Sequence, residues 1–172
     1  RQIRSLLYVE GFTISGARMA SAIAGALAAL AVFFMVNEMA GRRQAWLTAI
    51  LMTVYHYHIH WSRIALNNIW ITFLLPLTIA LFLRGWHKRW SGYAILAGLC
   101  LGFTAYFYAG GYFILLLLPF LAWQEWKKTT HPVSLAVYCG KMLAMAMVVA
   151  APLIVYAVRF PDQFLLRTRD IV

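Results

Sequence analysis

Apolar stretches close to the length of a membrane crossing follow one another along most of this chain, separated by short basic segments. That alternation constrains the fold more than any other feature. Inside a bilayer every backbone N–H and C=O must find its partner within the protein, so only helices and closed barrels cross. A helical crossing takes about 20 apolar residues. Six stretches are candidates: 17–39, 45–60, 69–83, 93–108, 112–126 and 134–158. Several are shorter than a full crossing. They are either tilted partners in a bundle or, for the fourth and fifth, a broken unit around Gly110-Gly111. The expected fold class is all-α, a polytopic transmembrane helical bundle of about six spans. Residues 1–172 then form a single membrane-embedded module.

Composition agrees. The chain is 63% hydrophobic and 12% charged, against about 45–50% and about 25% for a soluble domain. This excludes a soluble enzyme, a disordered chain and a disulfide-stapled secreted domain. Cys100 and Cys139 both lie in apolar stretches and read as small core residues, not as a bridge. Alanine dominates 20–31, and Gly98 and Gly102 are four residues apart. Small residues at such spacing let membrane helices approach closely. Pro76 falls inside the third stretch, where neighbouring helices can satisfy the freed carbonyl.

The formal charge of +10 would point to nucleic acid in a soluble protein. Here it sets topology, and no nucleic-acid partner is expected. Arg42, Arg43, Arg84, Lys88, Arg89, Lys127 and Lys128 fall in one set of loops, whereas the alternate loops hold only Arg63. Basic loops stay on the cytoplasmic side. Both chain ends, the histidine-rich segment 56–60 and the Gly110-Gly111 reversal are then external. Arg1, Arg4, Arg159, Arg167 and Arg169 run against this bias. A basic excess on the outer side fits an anionic headgroup or phosphate.

The densest polar cluster is His56-Tyr57-His58-Ile59-His60-Trp61-Ser62-Arg63, with Asn67-Asn68 close behind. His56 and His60 share a helix face at i, i+4, which is also metal-ligand spacing. No carboxylate accompanies them, so interfacial imidazoles and a ligand contact by one histidine both stay open. Arg63 offers a planar fork to a phosphate, or snorkels to lipid. Arg18, about one turn into the first span, either snorkels or points into a polar cavity. Tyr106 and Tyr108 present ring and hydroxyl together, suited to sugar or prenyl contact, or to an interfacial belt. Glu10 is the acid ahead of the first span. Lys141 needs no role beyond snorkelling.

Taken in order, these segments resemble a known group. Gly11-x-Thr13-x-x-x-Ala17-Arg18-x-x-Ser21-Ala22-x-x-Gly25 resembles the entry to the second membrane helix of GT-C glycosyltransferases. More specifically, it resembles the protein-mannosyltransferase and lipid A aminoarabinose-transferase group (glycosyltransferase family 39 type). Gly41-Arg42-Arg43-x-Ala45, followed by residues 58–66, resembles the next helical hairpin of that group. Ala97-Gly98-Leu99-x-Leu101-Gly102-x-x-x-Tyr106-x-Tyr108 resembles a later helix, and Phe160-Pro161-x-x-Phe164-x-x-Arg167 the external segment after it. The likeness spans nearly the whole chain, and its weight lies in order and spacing.

The resemblance implies an inverting, single-displacement glycosyltransferase. It would pass a sugar from a polyprenyl-phosphate donor to a lipid, glycan or protein acceptor on the external face. It implies an integral membrane protein, of a prokaryotic plasma membrane. The chain would be a fragment of a larger enzyme, with an acidic general base in an external loop upstream of Arg1. Arg18, His60, Arg63, Asn67, Asn68, Tyr106, Tyr108 and Arg167 are the candidates for donor phosphate and sugar contact. Fixed cations would stabilise the leaving phosphate as its charge develops. The group often carries an acid where Asn67-Asn68 stand; here both are amides. No cofactor is specified, and a divalent metal in the full-length enzyme stays open. Two other classes fit the residues: half of a transporter or lipid flippase, and a non-catalytic membrane scaffold.

Overall fold

The computed structural model describes residues 14–64, 68–107, 114–129 and 131–160. They form seven helices and, among them, no strand: α1 (Ile14–Ala40), α2 (Arg42–Val54), α3 (His56–Arg63), α4 (Asn68–His87), α5 (Gly92–Thr104), α6 (Ile114–Lys128) and α7 (Pro132–Arg159). The all-helical expectation holds. Of these helices, α1 from Arg18, α4 and α7 are long and apolar enough to cross a bilayer, with 23, 20 and 28 residues. The others depart from the six-span expectation. At 1.5 Å per residue, α5 with 13 residues is about 20 Å long and α6 with 15 about 22 Å. Over the described residues, neither length reaches a hydrocarbon layer of about 30 Å.

The second expected span, 45–60, is broken in two. Tyr55 is extended (φ −70°, ψ 117°) and serves at once as C-cap of α2 and N-cap of α3. β-Branched Thr53 and Val54, followed by aromatics, weaken the helix there. The hydroxyl of Thr53 donates to the Ile50 carbonyl at 2.7 Å. Periodicity of apolar residues carries no mark of such a break.

Small residues set the helix contacts. α1 packs along α4 and also receives α2 and α3. Its buried face is Ser21, Ala24, Ala28 and Ala31, a ridge at i+3 and i+4 steps. α5 joins α4 to α7. There Gly98 abuts the Met142 carbonyl and Met145, and Gly102 abuts Val149 and Ala146. The close-packing role expected for this glycine pair is what the structure shows. The core gathers Phe82, Leu101, Ile114, Leu118, Leu135 and Met142 from α4, α5, α6 and α7. Cys100 and Cys139 are free thiols. Large apolar side chains left exposed, such as Leu143, Met147, Val148 and Val155 on α7, are what a lipid-solvated surface carries.

Among the described residues the ion pairs gather at one end. Gly41 turns α1 back into α2 with φ 93°, a backbone that an L side chain resists. Beside it, Glu38 of α1 accepts from Arg84 of α4 at 3.1 Å and lies 3.6 Å from His87. His87 in turn faces Glu125 of α6 at 3.7 Å, and Glu125 accepts from Lys128 at 3.1 Å. Arg84, assigned to a loop by hydropathy, is therefore a helix residue bound to a carboxylate. Glu38 is 16% exposed, so removing it strands a cation between α1 and α4. Glu38→Ala should cost about 1–2 kcal/mol. A thermal unfolding midpoint lower by a few degrees in detergent checks this.

Candidate functional site

The break at Tyr55 has a structural result: it tips α3 onto α1. The contact is made at Gly25, where a Cβ would come within 2.6 Å of the Ser62 Cβ. One residue face further on, His58 Nε2 lies 3.0 Å from the Gly25 carbonyl. A carbonyl only accepts, so Nε2 carries the proton and donates. A histidine inside the apolar run is thereby satisfied by α1, and its ring position is set.

Bending α3 away from the line of α2 opens a cavity of about 360 Å³ against the start of α4. Met52, Tyr55, Tyr57, Trp61 and Ile69 make most of its wall, and His58, Asn68 and Thr72 supply the polar groups. Mostly apolar lining with a few polar groups is the composition of ligand sites. Pro76 sits inside α4. It has no N–H to give the carbonyl of Thr72, so the helix ladder lacks one bond at the cavity wall. The cavity lies at the end away from the Glu38–Arg84 pair. From Asn68 to His87 the α4 axis rises about 28 Å.

The structure places the expected residues unevenly. Asn68 is half-buried in the cavity wall. His60 is exposed, stacked on His56 with ring centroids 6.3 Å apart and edge-on to Trp61. Arg63 is exposed at the last turn of α3, and Arg18 on the first turns of α1. The Tyr106 hydroxyl donates to the Val149 carbonyl at 2.8 Å. It ties the end of α5 to α7, a structural use that the sequence did not indicate. Asn67, Tyr108 and Arg167 lie outside the described residues. Among the described residues no group of three or more His, Cys, Asp or Glu is placed to hold a metal.

His58, Tyr55 and Thr72 line the cavity without having been singled out as contacts. The i, i+4 pattern drew attention to His56 and His60, whose rings face outward. The usable signal was elsewhere: Gly25 is the one residue without a side chain in the alanine-rich run 20–31, and it permits another helix to approach closely there. Among the described residues no carboxylate lines this cavity. Glu38 and Glu125 are at the far end, while Glu10, Asp162 and Asp170 lie outside the described residues.

The arrangement is thus a bent helix, an aromatic-walled cavity with one oriented imidazole, and exposed cations, Arg18 on α1 and Arg63 on α3. Comparison with known proteins fits it. No curated protein and no solved structure matches the chain. A family model does, that of dolichyl-phosphate-mannose-protein mannosyltransferase, over residues 2–166. With nearly its whole length matched, this integral membrane chain belongs to the dolichyl-phosphate-mannose-protein mannosyltransferase family, a family of glycosyltransferases.

Proposed function

We propose that the protein takes part in moving a mannosyl group from a polyprenyl-phosphate donor to an acceptor hydroxyl on the external face of the membrane. The observation that carries this reading is the cavity at the His58–Asn68 end, taken with the family to which the chain belongs. Positive-inside bias supports its side: Arg42, Arg43, Arg84, Lys88, Arg89, Lys127 and Lys128 all belong to the opposite end. Family membership favours a transferase over the transporter and scaffold readings.

In this proposal the prenyl chain runs from the bilayer along Met52, Tyr55 and Ile69. Rings of Tyr57 and Trp61 cover the sugar, while His58 and Asn68 offer hydrogen bonds to it. The bond from sugar C1 to the phosphate oxygen breaks as the acceptor oxygen attacks C1. The acceptor proton goes to a carboxylate, and the phosphate departs with added negative charge. Arg63 and Arg18 stand at the right end to stabilise that charge. The carboxylate comes from outside the described residues: Glu10, or an acid N-terminal to Arg1.

The test uses the full-length protein in membranes loaded with labelled polyprenyl-phosphate mannose. Label should pass to a lipid, glycan or protein acceptor. Arg63→Ala should lower the rate by at least about tenfold, the scale of one charged contact to a developing anion. No transfer to any acceptor, with Arg63→Ala membranes indistinguishable from wild type, would overturn the reading.

A further inference from the structure

A second cavity, of about 470 Å³, lies at the opposite end of the bundle, between the end of α4, the last turn of α6 and the first turns of α7. Arg89, Lys128, His131 and Lys141 line it. Among the described lining residues Glu125 is the one carboxylate, and it is already engaged by Lys128 at 3.1 Å and faces His87. Positive-inside topology by itself asks for no such concavity. Arg42 and Arg43 serve that rule from the exposed surface of α2 and are not part of this wall.

Arg89 is the telling residue. The chain leaves α4 through a Schellman turn: the Trp90 N–H donates to the Gly85 carbonyl and the Arg89 N–H to the Trp86 carbonyl, both at 3.1 Å. This puts Arg89 at the left-handed position, with φ 53°. Glycine is the usual occupant because a Cβ there is unfavourable. Among the described non-glycine residues, Arg89 is the one with positive φ. A strained backbone that carries an arginine into a cationic cavity points to a use for the side chain.

The opposite wall is apolar. Trp86 and Tyr138 have their rings 6.0 Å apart, and Val137, 54% exposed, continues the lining onto the outer flank of α7. A ligand seated here meets cations on one side and a lipid-facing surface on the other. Arginine recognises phosphate oxygens through its planar fork. His131, the N-cap of α7, makes no side-chain cap bond, and the start of a helix favours negative charge.

We infer that this cavity holds the phosphodiester headgroup of an anionic phospholipid, with its acyl chains along the α7 flank. The inference goes beyond the proposed reaction and does not depend on it.

The test is lipid retention by the purified full-length protein in mixed micelles, read by native mass spectrometry. Wild type should retain phosphatidylglycerol at least about tenfold over phosphatidylcholine, the discrimination expected of charge-assisted hydrogen bonds. Arg89→Gly suits the left-handed backbone, so its thermal midpoint should be no lower than wild type. Combined with Lys141→Gln, it should still abolish the preference. Arg42→Gln with Arg43→Gln removes as much charge from the same end and should leave the preference intact. Equal loss in both double variants would mean bulk charge and overturn the site, as would an unchanged preference in the first. Displacement of the lipid by millimolar inorganic phosphate would assign the cavity to a free anion and overturn the lipid reading.

Discussion

Gly98→Leu should cost the protein its α5–α7 interface. A Cβ at Gly98 runs into the Met142 carbonyl and lies 2.8 Å from the Met145 Cβ. A carbonyl within a helix cannot rotate aside as a side-chain tip can. Relief therefore requires α5 and α7 to separate, and with them the core contacts of Leu101 and Met142. Overpacking a well-filled core costs about 1–3 kcal/mol and sometimes more. With backbone as the obstacle, the upper end applies, against a total stability of about 5–15 kcal/mol for a typical protein. The monodisperse fraction after detergent extraction should fall sharply. Gly140 is the control. It lies on α7 with nothing within 4 Å of a built Cβ, so Gly140→Leu should extract like wild type. Equal behaviour of the two variants would sink the packing argument.

His58→Ala should lower mannosyl transfer by about a hundredfold, the scale of misplacing a reacting group by about an ångström. The expectation rests on the proposed reaction and on one contact. His58 Nε2 holds α3 against α1 through the Gly25 carbonyl, and the same ring is part of the cavity wall. Losing the bond should cost only about 1 kcal/mol of stability, so the protein should still extract. His58→Gln can donate to the same carbonyl and should recover part of the rate. His56→Ala and His60→Ala alter exposed rings and should change the rate by less than about threefold, the range of a surface change. A His60→Ala loss as deep as that of His58→Ala would move the site to the outer face of α3.

What the sequence made legible follows from physics that acts locally. Alanine and glycine at helical spacing announced the α1 ridge and the α5–α7 contact, since close approach is written in the residues that permit it. Gly41 and the basic segments marked the turns. The break at Tyr55 was hidden, because 45–60 reads as one apolar run and the bend depends on Gly25, thirty residues away in the sequence. Arg84 was hidden likewise: its carboxylate partner is on α1, and hydropathy assigns each arginine by its own neighbours. The histidine that matters to the cavity was passed over because pair spacing is visible in a sequence, whereas a backbone carbonyl on another helix is not. Membrane character and family were legible from order and composition. The count of spans was not, because among the described residues length and apolarity are met by α1, α4 and α7.

The shortness of α2 bears on the order of events during synthesis. Its 13 residues begin with two arginines and include Gln44, Thr48 and Thr53. Such a segment has little tendency to leave water for lipid unaided. α1, with its long alanine-rich body, does. Gly41 then folds α2 back along a helix already in place, where Ala45 is fully buried and Phe33 meets Trp46 at 4.9 Å. α3 comes next, and it docks only on a partner that displays Gly25. The tight turn at Gly41 thus holds a segment with little tendency to partition alone against a helix that is long and apolar enough to cross by itself.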